Sequence, residues 1–266
     1  MADFINTVDT LGDAVVTDSI IDRSITELKD NNISIIGSCA FRSCSSLTAV
    51  SFPAASSIDD YAFYGCSSLT AVSFPAVTRI GSYAFNGCIS LTNAEFPACT
   101  SIGSSAFRSC SSLTAVSFPA CTSIGSYAFN NCSSLTSVSF PAATSIGGSA
   151  FNGCSSLTTV SFPLVAGIEP FAFCNCTNLT NAAFSAWMII GNAAFSGCGN
   201  LRTLVLMASS VCQLQKSLAF TSTPIKSGTG YIYVPSSLVT AYQSAANWSL
   251  YSAQISAIED SEFYEE

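Results

Sequence analysis

The sequence predicts an α/β repeat solenoid in which short parallel strands stack, joined by tight turns. Three observations carry that prediction. Phenylalanine returns every 22 residues, at Phe41, Phe63, Phe85, Phe107, Phe129, Phe151, Phe173 and Phe195. Cysteine follows each three residues later, from Cys44 to Cys198. Leucine, valine, phenylalanine and isoleucine hold further columns at the same period, including Leu47, Leu69 and Leu91, and Ile58, Ile80 and Ile102. One period held over eight repeats is the mark of a single structural unit stacked on itself.

Each repeat justifies its elements in turn. The stretch from valine to phenylalanine, as in Val72-Ser73-Phe74, alternates inward and outward and reads as a strand. Proline follows directly in six repeats, Pro53 to Pro163, and ends the strand because it lacks an N–H. A short return segment leads to the isoleucine. The glycine after it, as in Gly81 and Gly103, reads as a turn residue with positive φ. Ala-Phe-x-x-Cys is too short for an independent helix and reads as one helical or 3₁₀ turn. The strands are expected to pair into one parallel sheet at about 4.8 Å per repeat.

These residues resemble the BspA-like leucine-rich repeat. The resemblance rests on Leu-x-x-Val-x-Phe-Pro, the Ile-Gly corner and Ala-Phe-x-x-Cys, and it spans about residues 25–235. It implies a right-handed superhelix used for adhesion or for binding host proteins. It also implies export, whereas the Met1–Asp9 stretch has neither the basic nor the apolar region of a Sec-type signal.

Three regions follow. Residues 1–24 are expected to form an N-terminal cap or a docking segment, the latter a route to a homo-oligomer. Residues 25–222 form the solenoid, with 25–46 as a degenerate first repeat in which Asp30 replaces the strand phenylalanine. Residues 223–266 form a C-terminal cap and acidic tail. In that cap Tyr231–Val234 is expected as a last strand, and Ser236 or Ser237 as the N-cap of a helix. Trp248, Leu250, Tyr251, Ile255 and Ile258 are expected to cover the open end.

Composition narrows the function. Charged residues are 9% of the chain, and the net charge of −8 sits at the two ends. Residues 31–258 hold four acids and six bases, so no basic patch exists for nucleic acid. No apolar run spans a bilayer. The chain has no histidine, which removes Ser–His–Asp and Cys–His machinery. The thirteen cysteines are odd in number, and eight share one column, so they read as buried free thiols. A bridge between Cys99 and Cys121 is the alternative for that pair. Asp59-Asp60 reads as a solvated turn rather than a Ca²⁺ site, and no cofactor or metal site is expected.

What remains is surface. The outward strand positions are small and nearly uncharged, and Asn93 with Glu95 breaks their monotony. A threonine column, Thr48 to Thr180, is a single column and not the Thr-x-Thr plane of an ice-binding face. Tyr61, Tyr83, Tyr127 and Phe171 form an aromatic column. It is either an exposed stripe for sugars or protein partners or a cover for the core. Arg42 and Arg108 share another column and read as solvent residues. The expectation is a non-enzymatic binding module for a protein or glycan, with Asn93, Glu95, Tyr61, Tyr83 and Tyr127 as contact candidates. Its expected setting is a phage or prophage particle, as a structural or receptor-binding part. The alternative is a secreted or cell-surface bacterial adhesin.

Overall fold

The computed structural model describes residues 14–16 and 24–260. The chain winds as a three-sided solenoid, and each side follows from one part of the repeat. Most of the 1–24 segment, with its expected oligomerisation role, lies outside the described residues.

The strand side is built as its alternation predicts. Ala49–Ser51, Ala71–Ser73, Asn93–Glu95 and their successors turn valine or alanine inward. Neighbours pair in parallel at a register of 22 residues, with Val50 opposite Val72 and Val116 opposite Val138. The first of these strands, Glu27–Lys29, places Leu28 opposite Val50. The strands fall into consecutive sheets of three, three and five.

The second side differs from expectation. The return segment is itself a strand, so the solenoid has a second parallel sheet, of ten strands running from Ala14–Val16 to Gln213–Leu214. Most of these strands are only two residues long, as in Arg79–Ile80. Isoleucine points inward and its predecessor outward, a pattern too short to announce a strand.

The third side is also corrected. Ala-Phe-x-x-Cys forms neither a helical nor a 3₁₀ segment but a run of tight turns whose N–H groups alternate in direction. Ala62, Tyr64 and Cys66 donate back to Asp59, Tyr61 and Phe63, while Tyr61, Phe63 and Gly65 donate forward to Ser82, Ala84 and Asn86 of the next coil. The turn is thus satisfied half locally and half by stacking, which accounts for a backbone that would otherwise carry unpaired buried groups.

The glycine after isoleucine is required for a reason other than the expected one. Gly81, Gly103, Gly125 and Gly147 do not have positive φ. A Cβ on Gly103 would lie 2.6 Å from the carbonyl carbon of Gly81, so close stacking of coils demands the missing side chain.

The core runs the length of the axis. Rings of the turn column stack at 4.9–5.4 Å from Phe41 to Phe195, with their planes nearly parallel. Rings of the strand column, such as Phe96 and Phe118, meet them edge-on. All thirteen cysteines are free, so Cys99 and Cys121 are not bridged. The thiols are more than small apolar fillers. Each of Cys66, Cys88, Cys110, Cys132, Cys154, Cys176 and Cys198 donates to a phenylalanine carbonyl 25 residues earlier, at 3.0–3.2 Å.

The first and last repeats depart from the pattern of the rest. Asp30, in the strand phenylalanine column, is buried and its carboxylate accepts from the Asn32 N–H at 2.7 Å. At the other end Tyr231–Val234 pairs with Thr203–Leu206, and Ile255–Ala257 adds a further strand beyond it. Trp248 and Tyr251 pack on Phe220, which continues the phenylalanine stack from Phe195. Leu250 does not join them and is 59% exposed. Ser236 and Ser237 lie within a 3₁₀ turn and cap no helix; Val239–Ser244 begins without a side-chain cap. The cap that forms is Thr223, whose hydroxyl accepts from Lys226 N–H ahead of Pro224–Ser227.

Candidate ligand-binding surfaces

The candidates divide between two sides of the solenoid. Asn93 and Glu95 lie on the strand side, two residues apart and therefore on the same face. Their side chains engage each other, Asn93 Nδ2 donating to Glu95 Oε1 at 3.0 Å. Both are exposed. The threonines at the edge of this face are committed to the fold. Thr70, Thr114 and Thr136 each donate to the threonine carbonyl one coil earlier at about 3.0 Å.

The strand side also holds a shallow depression of about 390 Å³ between Ser137 and Met207. Thr159, Asn181, Ala183, Val205, Met207 and Ile258 are among the residues that line it. Sequence reasoning missed it. Its one advance signal was the shift from alanine and serine to Val205 and Met207 in the last repeat.

Tyr61, Tyr83 and Tyr127 lie on the turn side, away from Asn93 and Glu95. All three, with Phe171, sit in the left-handed region at φ near +60°. Their column reads Cys39, Tyr61, Tyr83, Ser105, Tyr127, Ser149, Phe171 and Ala193, and every member has positive φ. A second column four residues on has positive φ as well, but there the chain uses Gly65, Gly87, Asn131, Gly153, Asn175 and Gly197, with serine elsewhere. The second column obeys the steric rule for this region, and the aromatic column violates it.

The core phenylalanines are buried whether their coil carries a ring or a serine. Phe107 and Phe151, in the coils that carry Ser105 and Ser149, are 0% exposed, as are Phe85 and Phe129 in the tyrosine coils. Tyr127 is 46% exposed and Phe171 42%. Tyr61 and Tyr83 stack at 4.8 Å. The arginines are not plain solvent residues: Arg42 lies over Tyr61 and Tyr64 at 5.8 and 5.3 Å, and Arg108 over Tyr127 at 5.9 Å.

The remaining polar groups serve the fold. Asp59 pairs with Arg79 at 3.6 Å, and Asp60 accepts the Ser82 N–H at 2.7 Å. No group of three metal-ligating side chains occurs among the described residues. Burial pushes the thiols of Cys88, Cys110, Cys154 and Cys176 well up, and those of Cys99 and Cys121 to about 12 and 11. Such thiols stay protonated and are poor nucleophiles. No helix among the described residues is long and apolar enough to cross a membrane.

The BspA type leucine rich repeat region matches over residues 20–133 and 122–250, in six copies. The chain belongs to the BspA-type leucine-rich repeat family. Among solved structures, a leucine-rich repeat protein from Bacteroides ovatus is 24% identical over 79% of this chain, with a TM-score of 0.62. The match spans 63% of the length of that protein. The leucine-rich repeat protein of T. pallidum is 26% identical, over 67% of this chain and 78% of that one, with a TM-score of 0.50. The Toll chain of the Drosophila Toll–Spatzle complex shares the fold at 16% identity, over 84% of this chain and 33% of that one, with a TM-score of 0.50. No curated protein matches the chain. These BspA-type repeats thus form a parallel-sheet solenoid of about ten turns.

Proposed function

We propose that this chain is a non-enzymatic binding module of adhesion type, which recognises a protein or glycan through its solenoid surface. The observation that supports this reading is the exposure of Tyr127, Phe171, Trp187 and Met207 on a scaffold whose core is complete without them. Solvent-facing rings and apolar side chains on a rigid frame supply contact area at little entropic cost. Leucine-rich repeats of this kind are used to hold other macromolecules, and Toll, which shares the fold, is seen in complex with Spatzle.

The test is capture. Immobilised protein is exposed to solubilised surface proteins and to a glycan array, and bound material is challenged with free protein. Saturable, competable binding supports the reading, and its absence on both sides defeats it. Fractionation of the producing culture separates the two settings proposed for the module. Co-sedimentation with virus-like particles marks a virion-borne receptor-binding part. Recovery with the envelope or in the medium marks an adhesin.

A further inference from the structure

We propose that the aromatic column on the turn side is a platform for an extended, uncharged polysaccharide, centred on Tyr83, Tyr127 and Phe171. The proposal rests on the binding-module reading and names its surface and ligand class.

The first argument is conformational. The backbone at this column is left-handed in every coil, a region where a bulky side chain is disfavoured and glycine or asparagine is not. Four residues on, the chain answers the same demand with Gly87, Asn131, Gly153 and Asn175. In the aromatic column it never does. Rings held at a strained backbone, in a column where Ser105 and Ser149 serve other coils, point to a role outside folding.

The second argument is spacing. Tyr83, Tyr127 and Phe171 are 44 residues apart. That is two coils, or about 10 Å at ~4.8 Å per coil. Serine stands between them, at Ser105 and Ser149. Tyr127 and Phe171 thus stand as separate stations two coils apart, while Tyr83 stacks on Tyr61 at one end, and the column is not one contiguous apolar patch of the kind that forms the centre of a protein interface. A linear β-linked glycan in extended form presents the same sugar face at every second residue, and the C–H groups of that face stack on an aromatic ring.

The third argument is polarity. Three or four residues beyond the ring column lie Asn86, Asn131, Asn152 and Asn175, each at least partly exposed. Their amides offer donors and acceptors to hydroxyl groups. Along the turn side from Ser82 to Gly197 the charged side chains are Arg108 and Glu169, which cancel in sign. A surface so nearly neutral favours an uncharged glycan over an acidic one.

Affinity electrophoresis through gels containing hydroxyethylcellulose, a β-1,3-glucan, xylan or galactomannan tests the proposal with the full chain. Tyr127→Ser and Phe171→Ser together install the residue that the chain itself uses at Ser105 and Ser149, so the fold is kept, as circular dichroism verifies. Retardation of the unaltered protein by at least one of these glycans is expected, weakened by about tenfold or more in the double variant. A variant with Asn93→Ala and Glu95→Ala should keep full retardation. Equal retardation of the Tyr127/Phe171 variant overturns the platform while leaving the binding module intact, as does loss confined to the Asn93/Glu95 variant. Capture of a protein that depends on Tyr127 and Phe171, with no glycan retardation, overturns the glycan class. Binding of neither glycan nor protein by the unaltered chain overturns both readings.

Discussion

The thiol column makes the stability of the fold steeply dependent on alkaline pH. Burial raises Cys88, Cys110, Cys154 and Cys176 well above the ordinary thiol value, and each is 0% exposed. In the unfolded chain these thiols ionise from about pH 8.5 upward. The folded state then holds protons that the unfolded state has released. Stability is fully present below the unfolded value and falls as pH rises towards the folded one. Each thiol contributes a slope of about 1.4 kcal/mol per pH unit, and the four together about 5–6. Cys99 and Cys121 add to this until their own values of about 12 and 11 are reached. A domain holds only about 5–15 kcal/mol in all, so one to two pH units above 9 should bring it close to unfolding. Urea denaturation followed by circular dichroism between pH 7 and 10.5, with a non-thiol reductant present, measures the slope. A denaturation midpoint that stays flat from pH 8.5 to 10 would refute the reasoning, because it would mean that the thiols ionise in place.

Three further outcomes follow from particular contacts. In the native protein a thiol reagent should label Cys39, the thiol that is not buried, far faster than the core column, while denaturant should expose all thirteen; rapid native labelling of several sites would show that the column breathes. Gly103→Ala should cost about 1–3 kcal/mol in urea denaturation, because its Cβ would lie 2.6 Å from the neighbouring coil, whereas Gly167→Ala, with nothing within 4 Å, should stay within about 0.5. Trp248→Ala should cost about 3–5 kcal/mol, since it removes the ring packed on Phe220 and the hydrogen bond to the Cys212 carbonyl at 2.7 Å; a smaller loss in the melting assay would mean that the cap docks independently of this side chain.

Columns spaced by 22 were legible because stacking gives every coil the same neighbours, so one demand is written eight times. Leu69, Phe74, Ile80 and Phe85 are read inward from the sequence and lie in the core. The second sheet was not legible, because a two-residue strand such as Ser123–Ile124 has no alternation to show. Its pairing comes from the adjacent coils rather than from local preference. The same cause hid the turn geometry. Half the N–H groups around Phe63 find their acceptors 21 residues ahead, so local propensity sees only the half that looks helical. Glycine after isoleucine drew attention for φ, yet its role is proximity, which exists only once coils are stacked.

The contact candidates divide along the same line. Sequence marks Tyr61, Tyr83 and Tyr127 as a column but cannot say whether it covers core or faces solvent. Two facts of the structure bear on it. Phe107 and Phe151, in coils that carry serine, are as fully buried as Phe85 and Phe129 in coils that carry tyrosine, so no coil needs a ring of its own to bury its phenylalanine. The backbone under every ring is left-handed, so the rings are not there by conformational preference either. Asn93 and Glu95 pass neither test. They sit on unstrained strand backbone and satisfy each other at 3.0 Å. A ligand on the strand side would have to break that pair or accept it as found. A ligand on the turn side would meet Tyr127 and Phe171, which are 46% and 42% exposed. We therefore place the proposed contact on the turn side, where bulky rings sit on left-handed backbone, rather than on the strand side, where the sequence breaks its pattern.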